Sequence, residues 1–225
     1  MRTTSVAEPG WQVGLVWTAF PVLGAALVYG VKAAAGWVAG LAWAPAQGLF
    51  RLISTIPEPA ATLGAVGLGL AGGLVISFIA AAERLRVEVA DEQVVLDRGG
   101  QETGYDRTAI SGVFLDGKKL VLLGLDSAEL AREGSDLDAG ALSDAFQSHG
   151  YPWLPEDPHR DEYRRWVRGI PELPAGADAL LHARAEALRK GEEEDVALLR
   201  AELARLGVVV REEKKRQFWR LARRG

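Results

Sequence analysis

The residues best suited to chemistry lie at the end of the chain. Arg211, Lys214, Lys215, Arg216, Arg220, Arg223 and Arg224 are interleaved with Phe218 and Trp219. Cations at this density attract phosphates, and exposed aromatic rings stack on unpaired bases. Arg211, Lys214, Lys215, Arg216, Trp219 and Arg220 are the candidate anion- or RNA-binding set. Glu212 and Glu213 stand in the same run, so three readings remain open: RNA, anionic lipid head groups, and a solubilising or protein-contacting face with Trp219 in a small core.

Candidates for catalysis are fewer. The chain has no cysteine, which excludes disulfides, a thiol nucleophile and thiolate-held zinc or iron–sulfur centres. The three histidines are His149, His159 and His182. His159 lies in Asp157-Pro-His-Arg-Asp161-Glu162, which has the residue types of a metal site but not the convergence, so it reads as a solvated loop. No Ser or Thr has His and Asp near it in a triad pattern. The stretch Gly64–Gly73 lacks the lysine and hydroxyl of a phosphate loop. The expectation is no enzyme, no cofactor and no metal. A cleft of convergent titratable groups would be the sign of a site the sequence hides.

These residues hang on a chain of two compositions. Residues 1–82 carry as charges only Arg2, Glu8, Lys32, Arg51 and Glu58. Every other member of the 26 Lys and Arg and the 30 Asp and Glu follows, leaving that part at a net −5, which argues against an overall nucleic-acid-binding surface. Trp11–Val31 is uncharged and longer than the apolar core of a signal peptide. Pro59–Ala82 is uncharged and bounded by Glu58 and Glu83. About 20 apolar residues cross a bilayer's hydrocarbon core, so both are expected to span a membrane, at about 11–31 and 60–82. Pro21 is a kink point in the first. The segment 33–56, with Trp37, Trp43 and Pro45, is expected to be re-entrant or to lie at the interface. Gly69 and Gly73, and Gly36 and Gly40, are G-x-x-x-G pairs that let helices pack closely, within the hairpin or in a homo-oligomer.

From Glu83 the period changes to two. Leu85, Val87 and Val89 alternate with charged residues, as in a half-buried strand. Strands are expected at 93–97, 101–107, 110–115, 119–123 and 128–132, with turns at Gly99-Gly100 and Asp116-Gly117. Ser135–Asp138 reads as a capping start for a helix lined by Leu137, Leu142, Ala145 and Phe146 and ended by Gly150. This gives a pleckstrin-homology-like β domain at 83–150. A proline- and aromatic-rich connector follows at 151–174, with a short helix at 161–168. A helical-hairpin domain at 175–225 has helices at 178–190 and 192–206, then strands at 208–211 and 217–221. The fold class is a membrane α-helical hairpin plus an α+β soluble part.

The pieces Leu199-Arg200-Ala-Glu202-Leu203, Leu206-Gly-Val-Val209 and Trp219-Arg220 resemble the small C-terminal domain of cysteinyl-tRNA synthetases. The catalytic motifs of a synthetase are missing, so aminoacylation is not implied. Trp43-Ala-Pro-Ala-Gln47-Gly, Val113-Phe-Leu-Asp-Gly-Lys118, Gly150-Tyr-Pro-Trp153 and Asp161-Glu-Tyr-Arg-Arg-Trp166 make the whole layout similar to the YqeB-type family of actinobacterial membrane proteins. That resemblance implies an integral, multi-pass protein of the cell membrane. Its pleckstrin-homology-like domain and synthetase-like tail would both lie in the cytoplasm. The expected function is a non-enzymatic membrane-anchored scaffold that binds a cytoplasmic protein. The alternative is a tether for RNA or tRNA.

Overall fold

The computed structural model describes residues 2–39, 57–214 and 216–223. It divides into two units, one of Ala7–Arg84 with Asp97–Gln101 and one of the remainder.

The first unit is a pair of apolar helices, α1 (Gly10–Ala39) and α2 (Ala60–Ala82). Helix α1 runs past the expected end at Val31, carrying Lys32 and the start of the anticipated interfacial segment within it. The rest of that segment, with Gly40, Trp43, Pro45 and Arg51, lies outside the described residues. Pro21 sits inside one continuous helix. Ala61, Ala65, Gly69, Gly73 and Ser77 of α2 are buried, one residue in every four, which places them along a single stripe. Along it the backbones touch. A Cβ on Gly69 would lie 2.3 Å from the Gly24 carbonyl oxygen, and one on Gly73 would lie 2.3 Å from that of Phe20. The close packing anticipated from Gly69 and Gly73 is thus within the hairpin. Ser77 Oγ donates to the Gly73 carbonyl at 3.0 Å, and the Trp17 and Phe78 rings meet edge to face at 4.7 Å. Near the other end Lys32 pairs with Glu58 and donates to Thr62 Oγ1 at 3.0 Å.

In the second unit the β domain starts before the hairpin, not at residue 83. Thr3–Val6 forms β1 and pairs antiparallel with β2 (Leu85–Ala90), Thr3 opposite Ala90 and Val6 opposite Val87. Four residues show no period of their own, and their partner lies beyond both helices. With β3 (Gln93–Arg98) and β4 (Gln101–Asp106), these strands make a sheet in the order β1-β2-β3-β4. A second antiparallel sheet holds β5 (Ile110–Asp116), β6 (Lys119–Gly124) and β7 (Glu129–Gly134). Helix α3 (Ala139–Ser148) closes the core, its Leu142, Ala145 and Phe146 meeting Val87, Val89, Val94, Val113, Leu120 and Leu122. Its cap is Asp138, whose carboxylate accepts from the Ala141 amide at 2.8 Å. Ser135, expected to open the capping box, accepts from the Leu137 amide at 3.3 Å instead.

The connector is ordered by its neighbours. Leu154 N–H donates to the Val113 carbonyl at 2.7 Å, and Val113 N–H to that of Pro152 at 2.8 Å. The helix expected at 161–168 is a single 3-10 turn, Arg160–Glu162, followed by the two-residue strand β8 (Arg164–Arg165). The helical-hairpin domain has α4 (Ala177–Lys190) and α5 (Glu193–Arg205), joined through Gly191 at φ 78°, where a Cβ would be disfavoured. It ends in β9 (Val208–Glu213) and β10 (Arg216–Leu221), with the sheet order β8-β10-β9. Ala177, Leu181, Leu203, Val208, Val210 and Trp219 are its core.

Strand β6 is buried on both faces. Leu120 and Leu122 point to the main core, while Val121 and Leu123 join Phe114 in a second cluster backed by Leu154.

Candidate functional site

Strand geometry sorts the terminal basic run, because alternate residues point to opposite faces. In β10, Gln217 and Trp219 point to the helices. Arg216, Phe218 and Arg220 point away. Trp219 is 3% exposed within the domain core, so its ring is not available to stack on a base; this corrects its place in the candidate set. Arg220 is 2% exposed; its Nη2 donates to the Ser127 carbonyl at 2.7 Å and its guanidinium lies over the Tyr163 ring. Arg211 pairs with Asp116 at 3.0 Å. Lys214 and Arg216 are exposed at the turn. Lys215 lies outside the described residues. The six therefore do not form one surface, since those built into the fold occupy both faces of the sheet.

What the arginines build instead is a charged seam between the β5–β7 sheet and the helical-hairpin domain. Glu212 accepts from Arg184 Nη2 at 2.6 Å and Arg200 Nη2 at 2.9 Å, with Lys119 at 3.5 Å. Glu129 accepts from Arg132 at 2.9 Å, and from Arg200 and the Tyr163 hydroxyl at 3.4 Å each. Asp116 joins Arg132 to Arg211. Arg184 has no solvent-exposed side chain and also donates to Gln217 Oε1 at 2.7 Å; Gln217 in turn donates to the Leu181 carbonyl at 2.8 Å. Burial would raise the Glu212 carboxyl, but Arg200 and Arg184 outweigh it and bring it down to about 2. Burial pulls the Arg200 guanidinium down against the pull of Glu212. A carboxylate held this low is a poor proton acceptor at neutral pH. The seam pairs charges of the β5–β7 sheet with charges of the helical-hairpin domain.

A second constellation escaped sequence reasoning. The Thr4 hydroxyl lies 2.9 Å from His149 Nε2, and His149 Nδ1 lies 2.6 Å from Asp91 Oδ1. The carboxylate fixes the proton on Nδ1, so Nε2 accepts from the hydroxyl. Hydroxyl, imidazole and carboxylate thus stand in the order of a hydrolase triad. Thr4, however, shares its strand face with buried Val6, at the edge of the core. The relay ties β1 to the end of α3 and to the β2–β3 turn. His149, through its hydrogen bond, holds the Asp91 carboxyl below its ordinary value. The signal was hidden because Thr4 and His149 are 145 residues apart. His159 pairs with Glu162 at 2.9 Å. Among the described residues no group of three or more His, Asp or Glu is placed to hold a metal.

Comparison with known proteins adds the following. A family model described as a YqeB-like bacterial PH domain matches residues 4–154, beginning within β1 and running through both apolar helices. A second, the cysteinyl-tRNA ligase anticodon binding domain, matches residues 170–220. A protein of Bacillus subtilis (strain 168) described as "Uncharacterized protein YqeB" is 37% identical over 211 residues, covering 93% of this chain and 88% of its own length. No solved structure matches.

Proposed function

The chain belongs to the YqeB-like bacterial PH domain family, and from that premise we propose that it is a non-enzymatic, membrane-anchored scaffold. Its α1–α2 hairpin crosses the bilayer twice. Its pleckstrin-homology-like domain, with the helical-hairpin domain fixed against it, binds a protein partner in the cytoplasm. One observation carries this reading. The two helices meet through small residues and turn Leu15, Val22, Leu23 and Leu27 of α1, and Leu63, Leu68, Val75 and Phe78 of α2, outward. Large apolar side chains outside and glycine inside suit lipid as the surrounding medium. At 1.5 Å per residue, the 23 residues of α2 reach about 35 Å, enough for a hydrocarbon core of about 30 Å. Because β1 and β2 pair with each other, the two ends of the hairpin belong in one compartment, which favours an even number of crossings. Arg2, Arg84 and Arg86 on that side favour the cytoplasm.

The test is alkaline carbonate extraction, with fluorescent-protein fusions at each end of the chain. Retention in the membrane pellet with both fusions fluorescent supports the proposal; release into the supernatant, or one dark terminus, refutes it.

A second reading, favoured by the anticodon-binding-domain match at 170–220, is a membrane tether for RNA. It predicts RNA binding by the full-length protein that weakens steeply with salt.

A further inference from the structure

Resting on the RNA reading just given, we propose that single-stranded RNA is contacted at one end of the C-terminal sheet, by Arg165, Arg168, Lys214, Arg216 and Phe218. The argument begins with which cations are already engaged. In the C-terminal domain and the strand leading into it, Arg189 pairs with Glu186, Lys190 with Glu192, Arg205 with Glu202 and Arg223 with Glu162, and Arg164 approaches Glu172 at 4.0 Å. Arg184, Arg200, Arg211 and Arg220 are held in the seam or below the surface. Among the described residues, Arg165, Arg168, Lys214 and Arg216 are exposed and have no carboxylate partner.

Register places Arg165 and Arg216 on one face with Phe218, and the chain path brings Arg168 and Lys214 toward the same end of the sheet. Arg165 stands opposite Phe218, so both side chains project from the same face of the sheet. Arg216, two residues before Phe218 on β10, shares that face. The β8 chain runs antiparallel to β10, and Trp166 N–H donates to the Gln217 carbonyl at 2.9 Å. Arg168 is thereby carried toward the β9–β10 turn, where Lys214 stands at φ 48°. The loop between is pinned, since Asp178 Oδ1 accepts from Trp166 Nε1 at 3.0 Å and from the Gly169 amide at 3.2 Å. Glu213 stands opposite Arg216, and Arg211, opposite Phe218, is paired with Asp116. A half-exposed aromatic ring with cations on both sides suits an unstacked base flanked by phosphates. Cations and a ring would also suit a lipid interface; the anticodon-binding-domain match over residues 170–220 is what favours RNA as the source of the phosphates.

The test uses the full-length protein in neutral detergent and a fluorescein-labelled tRNA anticodon stem–loop. The triple variant Arg165→Ala, Arg168→Ala, Arg216→Ala removes three phosphate contacts, each worth about 0.7 in the slope of log affinity against log salt. Wild type should therefore lose roughly 20-fold more affinity than the triple variant between about 50 and 200 mM salt. Phe218→Ala should weaken binding by about fivefold or more, and Phe218→Tyr should restore it. Wild-type binding that the triple variant leaves unchanged would overturn this surface while the RNA reading stood. No binding by wild type at low salt would remove the RNA reading and the surface together. Anionic lipid that co-purifies with wild type but not with the triple variant, with no RNA bound by either, would assign the patch to head groups and overturn the proposal.

Discussion

Glu212 is the point at which the seam can be tested most directly. Its carboxylate serves two buried guanidiniums and a lysine, and its pKa of about 2 compares with an ordinary value near 4.5. A depression of this size corresponds to about 3 kcal/mol of preference for the ionised form in the folded state, at 1.36 kcal/mol per unit. The sign follows from the direction: stability from a depressed carboxyl is fully present above pH 4.5 and fades as pH falls toward 2. Glu212→Gln keeps the shape and removes the charge, leaving Arg184 without its anion and Arg200 with Glu129 alone. The expected cost at pH 7 is about 3 kcal/mol, in the range for breaking a buried pair. The assay is native-state hydrogen exchange of the β9 amides in the detergent-solubilised protein, where that cost appears as roughly 100-fold faster exchange. Glu213→Gln, one residue on and exposed, is the control and should change little. The difference between wild type and Glu212→Gln should shrink as the pH is lowered below about 4.5. Equal effects of the two substitutions, or a gap that does not narrow with acid, would refute the reasoning.

Three further outcomes are expected. His149→Ala removes both hydrogen bonds of the relay and should destabilise β1 by about 1–2 kcal/mol, read as faster amide exchange at Thr3–Val6 with little change in β6. Gly73→Val should lower the thermal stability of the hairpin in detergent by several degrees, because its Cβ would overlap Phe20 and Pro21; Gly72→Val, with nothing within 4 Å of its Cβ, should not. Truncation after Leu154 should uncover Phe114, Val121 and Leu123, now almost fully buried, and cause dye binding and self-association. A monodisperse truncated protein would mean that the two soluble domains are independent.

Much of this architecture was legible because its signals are local. Apolar runs of 20 or so residues mark the helices, and Gly117 and Gly191 fall at positive φ where the turn and helix ends were read. What was missed depended on distance. Thr3–Val6 has no period of its own and takes its partner from across the hairpin. The candidate RNA set was read as one patch because its members are neighbours in sequence, but a strand sends neighbours to opposite faces. One available signal was passed over. Leu120-Val-Leu-Leu123 is apolar without alternation, the pattern of a strand covered on both sides. It announced that the outer face of the β5–β7 sheet had a tenant, and Asp116, Lys119 and Glu129 around it are the charges that tenant answers.

The placement of β1 has a consequence for how the protein is made. Thr3–Val6 is synthesised before both apolar helices, and its partner strand and His149 only after them. The first strand must wait, unpaired, until the hairpin and β2 have been made. If the hairpin spans a bilayer as proposed, an odd number of crossings would leave β1 across the membrane from β2, with the sheet open and Val6 and Val87 uncovered. On that topology, the sheet can be completed only when the number of crossings is even.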